Sequence, residues 1–450
     1  MMRSLFSGVA GLKTHQTKMD VIGNNIANVN TVGYKSQTVV FSDVLYQTTQ
    51  SASGSNEETG KGGTNAKQIG LGSSVSSIST KITETGGTQS TNNPFDLMIN
   101  GDSFFIVNNA GTNYFTKAGN FTVDDAGNLC TSQGYIVQGW QADDEGNVLK
   151  TNVSGISIYD ADTKYAPPEQ TTAATISGNI NKEDESFEAG SIAFNVNFYD
   201  NLGYKYQATI TVSQTSDYEY EMAVTQLSCN GSIIGTTDVA TAFKEGLTTN
   251  PNDTATSFGT LPGLDATTLT FSAATGECTT ANLNLLTSAM GIEAIPQDIE
   301  LDFTKVTCLG TDTSIDTNYG DINGNNKGRA VGNLTGVSIS TDGKIIGSYD
   351  NGQQRVISQI AVATFTNPSG LEKAGDNLFR QTMNSGEFDG IGVDITADGG
   401  YLSTGVLEMS NVDLAAEFTE MITTQRGFQA NSRIITVSDT LLEELINLKR

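Results

Sequence analysis

Basic residues are few: 24 Lys and Arg stand against 50 Asp and Glu, a formal charge of −26. Nucleic-acid binding relies on Lys and Arg against phosphate, so this balance argues against it, and an anionic membrane surface is disfavoured for the same reason. There is one histidine, His15, so a Ser-His-Asp or Cys-His arrangement has a single candidate base. The four cysteines, Cys130, Cys229, Cys278 and Cys308, form no CxxC, which excludes a zinc knuckle or thioredoxin-like motif and leaves free thiols as the default. No apolar run reaches about 18 residues, so no membrane span is expected. The N-terminal stretch is amphipathic and lacks a continuous apolar h-region, so no cleavable signal peptide is expected either, and an extracellular location would need another export route. Proline is scarce, at 7 residues, whereas glycine is abundant, at 48. Thr, Ser and Asn dominate the middle of the chain, the texture of a β-rich protein of extracellular style.

What is present is concentrated first at the two ends. From Leu414 to Lys449 there is no proline and one glycine, Gly427. Apolar residues recur every seven positions at Leu414, Met421, Phe428, Ile435 and Leu442, with a neighbouring stripe through Ile434, Leu441 and Leu448 and with Leu445 beside it. Ser410-Asn411-Val412-Asp413 supplies a capping entry. The first 30 residues carry the same beat at Leu5, Leu12, Met19 and Ile26, widened by Val9, Ile22 and Val29. A sustained seven-residue beat predicts helices that pair as a coiled coil. The expected arrangement joins the two ends around everything between them; the alternative is two helices packed separately on one core.

Between the ends, residues 36–70 lack periodicity over much of their length and read as a linker. From about Gly70 the pattern turns to strands. Phe95–Ile99, Asn100-Gly101 and Ser103–Val107 carry a hairpin signal. Residues 151–329 form a second β-rich stretch of different texture, and residues 151–330 hold 7 basic and 23 acidic residues, net −16. From about Ala330 the first texture returns. The predicted fold is therefore mainly β with α-helical termini. Residues 1–35 plus 405–450 form a terminal coiled-coil domain, 71–150 plus 330–404 an inner β domain, and 151–329 an outer inserted β domain.

Nothing in the sequence points to an enzyme, and no catalytic, cofactor-binding or metal site is expected. His15 lies by the helical seam with no identifiable nucleophile. Asp321-Ile-Asn-Gly-Asn-Asn326 begins like a calcium loop but has Asn326 and Gly332 where the pattern needs Gly and Glu.

The stretches Ser4–Leu12 and Asn24-Asn25-Ile26-Ala27-Asn28-Val29-Asn30-Thr31-Val32-Gly33-Tyr34-Lys35 resemble the N-terminal signature of the bacterial flagellar rod and hook proteins. Asn411–Leu414 and Gln425-Arg426-Gly427-Phe428-Gln429-Ala430-Asn431 resemble the matching C-terminal signature, and Asn93–Leu97 with Gly101–Phe105 and Gly134–Trp140 the inner β domain. The signature residues carried over are Asn28, Asn30, Thr31, Gly33, Tyr34, Lys35, Arg426, Gly427 and Phe428. The resemblance implies that the terminal helices line the inner tube of a helical homopolymer in the extracellular part of the flagellum. The implied partners are further copies of the chain, the hook cap, the distal rod and the hook–filament junction proteins. It implies export through the flagellar type III gate, for which Phe41-Ser-Asp-Val-Leu45 fits the family's short motif. An insert of about 180 residues favours the hook, a flexible universal joint that transmits torque to the filament, over a distal-rod-like subunit. A secreted β-rich adhesin is the reading from outside the family.

Overall fold

The computed structural model describes residues 2–54, 60, 62–143, 146–188, 190–230, 232–233, 264, 268–280, 282–285 and 297–448. The chain divides into two compact units, one of Met1–Asp160, Val337–Gly347 and Arg355–Arg450, the other of Ala161–Gly336 and Ser348–Gln354. The sequence pattern separates terminal helices, linker and inner β domain, but all three belong to the first unit. The second unit covers most of the expected insert and adds the short segment Ser348–Gln354.

In the first unit, helix α1 (Met2–Ala27) packs against helix α2 (Leu414–Asn447). Asp413 caps α2: its Oδ1 accepts the N–H groups of Ala415 at 2.9 Å and Ala416 at 3.3 Å, two donors that would otherwise have no partner in the first turn. Helix α1 ends in a tight turn over Asn28–Val32, after which Gly33 adopts a left-handed φ of +68°. A side chain there would meet the backbone of Ala118 at 2.7 Å, so both the angle and the space require glycine.

Residues 36–70, read as a linker, instead carry strands β1 (Gln37–Asp43), β2 (Tyr46–Gln50) and β3 (Lys67–Gly70). Strand β1 pairs antiparallel with β4 (Ser73–Thr80), with a bulge between Val40 and Phe41, and β2 pairs with β3. Every side chain of β2 and β3 is exposed. Backbone bonds define that ribbon, helped by Thr49 Oγ1 donating to Lys67 O and Gln68 Nε2 to Thr48 Oγ1, so no hydrophobic alternation marks it in the sequence.

The expected hairpin across Asn100-Gly101 does not form. Leu97–Asn100 pairs with Tyr401–Thr404, and Phe104–Asn109 pairs with Thr112–Thr116. The two-residue turn is Ala110-Gly111, with φ of +49° and +87°, the geometry that suits the twist of tight hairpins. Leu97–Ile99 and Phe104–Val107 are buried throughout, so neither run has the solvent-facing side that a two-stranded hairpin would offer. The main sheet then runs through Gln354–Ile360, Ile136–Gln141, Phe104–Asn109, Thr112–Thr116, Leu378–Arg380 and Glu372–Gly375. Three strands from before the insert thus sit between strands from after it in one sheet. Its two faces bury separate cores, one around Leu97, Phe105, Phe121 and Leu402, the other around Phe104, Phe115, Trp140 and Phe379.

Among the described residues, the core of the second unit lies in two sheets. In one, Ala173–Asn179 lies between Ile299–Thr307, to which it is parallel, and Ser314–Tyr319, to which it is antiparallel. In the other, Ile192–Tyr199, Lys205–Ser216 and Glu219–Cys229 form an antiparallel meander. Tyr206, Ala208, Ile210 and Val212 alternate inward along the central strand and join Ile176, Leu301 and Phe303 in one core. None of the four cysteines forms a disulfide.

Candidate functional site

The two helices meet with small residues at the centre of the contact and with most of the predicted seam residues half-buried beside them. On α1 the buried positions are Gly8, Gly11, Thr14, Ile22 and Asn25. Leu5, Leu12, Met19 and Ile26 are half-buried on the flank, and Val9 is exposed. On α2, Thr424 and Ser438 are the buried residues; Met421, Phe428, Ile435 and Leu442 are half-buried, and Leu414 is exposed. A methyl group on Gly11 would stand 2.6 Å from Asn431 Nδ2, and one on Gly8 would touch Ile435 Cγ1 at 3.3 Å. Lower down the roles reverse, and the His15 ring fills the space left by Gly427, where an added methyl would lie 2.7 Å from the ring. The seam is knobs against glycines, and the Gly8-x-x-Gly11-x-x-Thr14 spacing was the sequence signal for it.

His15 therefore sits at a packing contact. Its ring is edge-on to Phe41 at 5.8 Å, and its Nδ1 is buried with no hydrogen-bond partner among the described residues. Burial, and then the charge of Lys18, hold its pKa below the ordinary 6.5. Lys18 pairs with Glu420 across the helices at 3.2 Å, and its ammonium lies 6.0 Å from the Phe41 ring. Phe41, the aromatic of the expected export motif, is thus folded into this junction, while Leu45 is almost fully exposed.

Below the helices, the N-terminal signature forms a polar latch. Asn25 is buried, donates to Gln37 O at 2.9 Å and Glu417 Oε1 at 2.8 Å, and accepts from Gln37 N–H at 3.0 Å and Tyr34 O–H at 3.2 Å. Lys35 is 1% exposed; its Nζ donates to Glu408 Oε1 at 2.7 Å and to Glu84 O at 2.7 Å. Glu408, equally buried, also accepts from Gly86 N–H at 3.1 Å, and its backbone carbonyl takes Gly33 N–H at 2.8 Å. Lys373 donates to Lys35 O at 3.0 Å and lies 4.6 Å from the Tyr34 ring, its pKa lowered by burial. Nearby Lys117, tied to Gly101 O at 2.7 Å, has its pKa pushed down to about 8, chiefly by burial. Thr31 Oγ1 donates to Asn28 Oδ1, and Asn28 Nδ2 to Asn24 O, which closes the turn after α1. Asn30 and Arg426 are exposed and take no part in the latch. Sequence reasoning missed Glu408, and it placed Asn25 and Asn411 in the signature stretches without singling them out; Asn411 accepts Ser36 N–H at 2.7 Å and donates to Lys81 O at 3.0 Å.

Once paired, α2 retains a second apolar face. Phe418, Ile422, Ile434, Val437, Leu441, Leu445 and Leu448 are exposed, at 44–83%. They include the neighbouring stripe read from the sequence. No described helix is long and apolar enough to cross a membrane, so this stripe is not a span.

A β core that pins both of its chain ends by buried polar groups, and then displays the paired ends with an uncovered apolar face, is the build of a structural protein rather than of an enzyme pocket. The comparisons with known proteins agree. The family models described as flagella basal body rod protein, flagellar hook protein FlgE/F/G D1 domain and flagellar basal body rod FlgEFG protein C-terminal match residues 5–35, 98–179 and 403–448. The chain is 37% identical over 466 residues to the flagellar hook protein FlgE of Borreliella burgdorferi and 34% identical over 475 residues to that of Treponema pallidum, covering 100% of each chain in both cases. It is 30% identical over 450 residues to the flagellar basal-body rod protein FlgG of Bacillus subtilis, again over 100% of both. The chain belongs to the flagellar hook and rod protein family, structural proteins of the bacterial flagellum. A crystal structure of the hook protein FlgE2 of Helicobacter pylori superposes with a TM-score of 0.41 at 13% identity, over 71% of this chain and 100% of that one.

Proposed function

We propose that the α1–α2 pair is the polymerising element of a hook subunit and that its exposed stripe is covered by the same helices of neighbouring copies. The chain is a structural subunit of the flagellar hook. The single observation that carries the polymerising role is the stripe itself. Fully burying an apolar side chain of this size is worth roughly 1.5–3 kcal/mol, so covering seven half-exposed ones gives each subunit a strong reason to associate. A distal-rod-like role is the weaker reading. It does not fail on insert length, because the rod-named relative aligns over the whole chain; it loses to the hook names of relatives with higher identity.

In this reading the polymer is a tube that bends, carries torque to the filament, and meets the cap, the distal rod and the hook–filament junction proteins at its ends. Export by the type III gate would use Phe41 and Leu45 before folding, because in the folded chain Phe41 lies against His15. Negative-stain microscopy of the full chain beside a version of residues 28–413 tests the polymerising role. Tubes are expected from the full chain alone, with folded monomers from the shorter one. Tubes from both would remove the helices from the role.

A further inference from the structure

The second unit carries 23 acidic and 7 basic residues, net −16. Two of those few cations, Lys305 and Lys327, line one cleft of about 310 Å³, together with Thr175, Asn318, Tyr319 and Asp321. Of the other described cations, Arg329 lies 3.8 Å from Glu169 and Lys182 lies 3.7 Å from Asp217, while Lys164 and Lys205 lie outside this cleft. Lys305 and Lys327 make no ion pair with any described residue. The one carboxylate of the cleft, Asp321, is turned to its own loop, where its Oδ1 accepts the N–H groups of Asn323 and Asn325 at 2.9 Å each.

The loop that failed as a calcium site shapes this cleft. Gly320 and Gly324 both have left-handed φ, and the Lys327 stem lies against them. A methyl on Gly324 would sit 3.4 Å from Lys327 Cε and 3.5 Å from its Nζ. The floor is fixed by Thr175, buried between strands, whose Oγ1 donates to Gly320 O at 3.0 Å. Tyr319 stacks on Tyr199 with centroids 6.2 Å apart, which holds the side wall. Uncompensated ammonium groups over a preformed polar cleft recognise carboxylates.

We propose that this cleft seats carboxylates of the same unit in a neighbouring copy of the chain. The inference rests on the polymer reading above and assigns a specific contact within it. Charge complementarity selects the occupant: any second copy brings the same excess of acid, and its exposed run Glu183-Asp184-Glu185 is a dense supply. Contact between such units without a cationic seat would set −16 against −16. The seat turns that repulsion into a small, salt-sensitive attraction.

The test uses tubes assembled from a mixture of unlabelled and 15N-labelled full chains, treated with a zero-length carbodiimide and read by peptide mass spectrometry. Expected are amide links from Lys305 or Lys327 to Asp or Glu of the second unit with mixed isotope labels, present in tubes and absent from monomers. Acylation of both lysines by an amine reagent should drop on assembly, and the K305Q/K327Q variant should form tubes that dissociate at lower denaturant than the wild type. Equal acylation in tubes and monomers, with no mixed-label link to either lysine, overturns the proposal. If the wild-type chain forms no tubes at all, the polymer reading fails first, before either lysine is examined.

Discussion

Lys35 and Glu408 show what the signature residues do one by one. They are 373 positions apart in sequence, yet they form a fully buried ion pair at 2.7 Å. Such a pair is not strongly stabilising in itself, but removing one member leaves an uncompensated charge in the core, at a penalty of about 3–5 kcal/mol. Lys35→Met is therefore expected to lower unfolding stability by that amount in urea titration, whereas Lys81→Met, which removes an exposed pair with Glu84, should change it by less than about 1 kcal/mol. Comparable losses from the two would mean that the latch does not exist. His15 makes a second prediction at this scale. Its folded pKa lies below the ordinary 6.5 because burial comes first and Lys18 second. The unfolded chain thus binds more protons on acidification, and the stability tied to neutral His15 is complete above pH 6.5 and is lost as pH falls through 6.5 towards the folded pKa. Lys18, whose charge helps to hold that pKa down, is itself paired with Glu420 at 3.2 Å. Wild type minus His15→Gln, followed by thermal melts from about pH 7.5 to about pH 5, should show a stability difference that shrinks with acid. A flat difference would contradict the buried-ring geometry.

At the scale of elements, the account turns on how closely α1 and α2 approach. Gly11→Leu would drive a side chain into Asn431, where even a methyl stands at 2.6 Å. The variant is expected to separate the helices, cut helical circular dichroism and abolish tubes, with the β core still folded because the latch lies below Gly11. Unchanged helicity and tubes would show that the helices do not pair at this register. The helices themselves were legible in the sequence, because a seven-residue beat sustained over 34 residues is the period of a helix with one packed face. How closely they approach was not. Leu5, Leu12 and Met19 have the spacing of a seam and are half-buried, but hydrophobicity does not record backbone approach, which is set by Gly8, Gly11 and Gly427. The same limit accounts for the hairpin misplaced at Asn100-Gly101, where burial on both faces overrode turn chemistry, and for the ribbon of β2 and β3, whose exposed side chains leave no period to read. The latch was half visible: Asn28 to Lys35 stood out as a signature, but their partners Glu84, Glu408 and Lys373 come from elsewhere in the chain and leave no local mark.

At the scale of the whole molecule, apolar surface and charge are separated along the chain. The exposed apolar stripe belongs to the terminal helices, while most of the acidic excess belongs to the second unit. On the proposed assembly, a homopolymer made this way would be held by its ends while the acidic inserts of neighbouring copies repel one another. Its association should be strengthened by salts that screen the acidic units, up to the point where the Lys305 and Lys327 contacts are themselves screened. The order of these effects gives the central measurement. Phe418, Ile422, Val437 and Leu441 are exposed on the outer face of α2 and make no side-chain hydrogen bond in the latch. Replacing all four with Ser in the full chain, then following assembly by sedimentation and negative-stain microscopy, isolates that face from the fold. The account predicts a folded monomer, with the β core intact by circular dichroism and no tubes at concentrations where the wild type assembles. Tubes from the quadruple variant at wild-type concentration would contradict it, because the uncovered apolar face of α2 would then have no part in holding the polymer together.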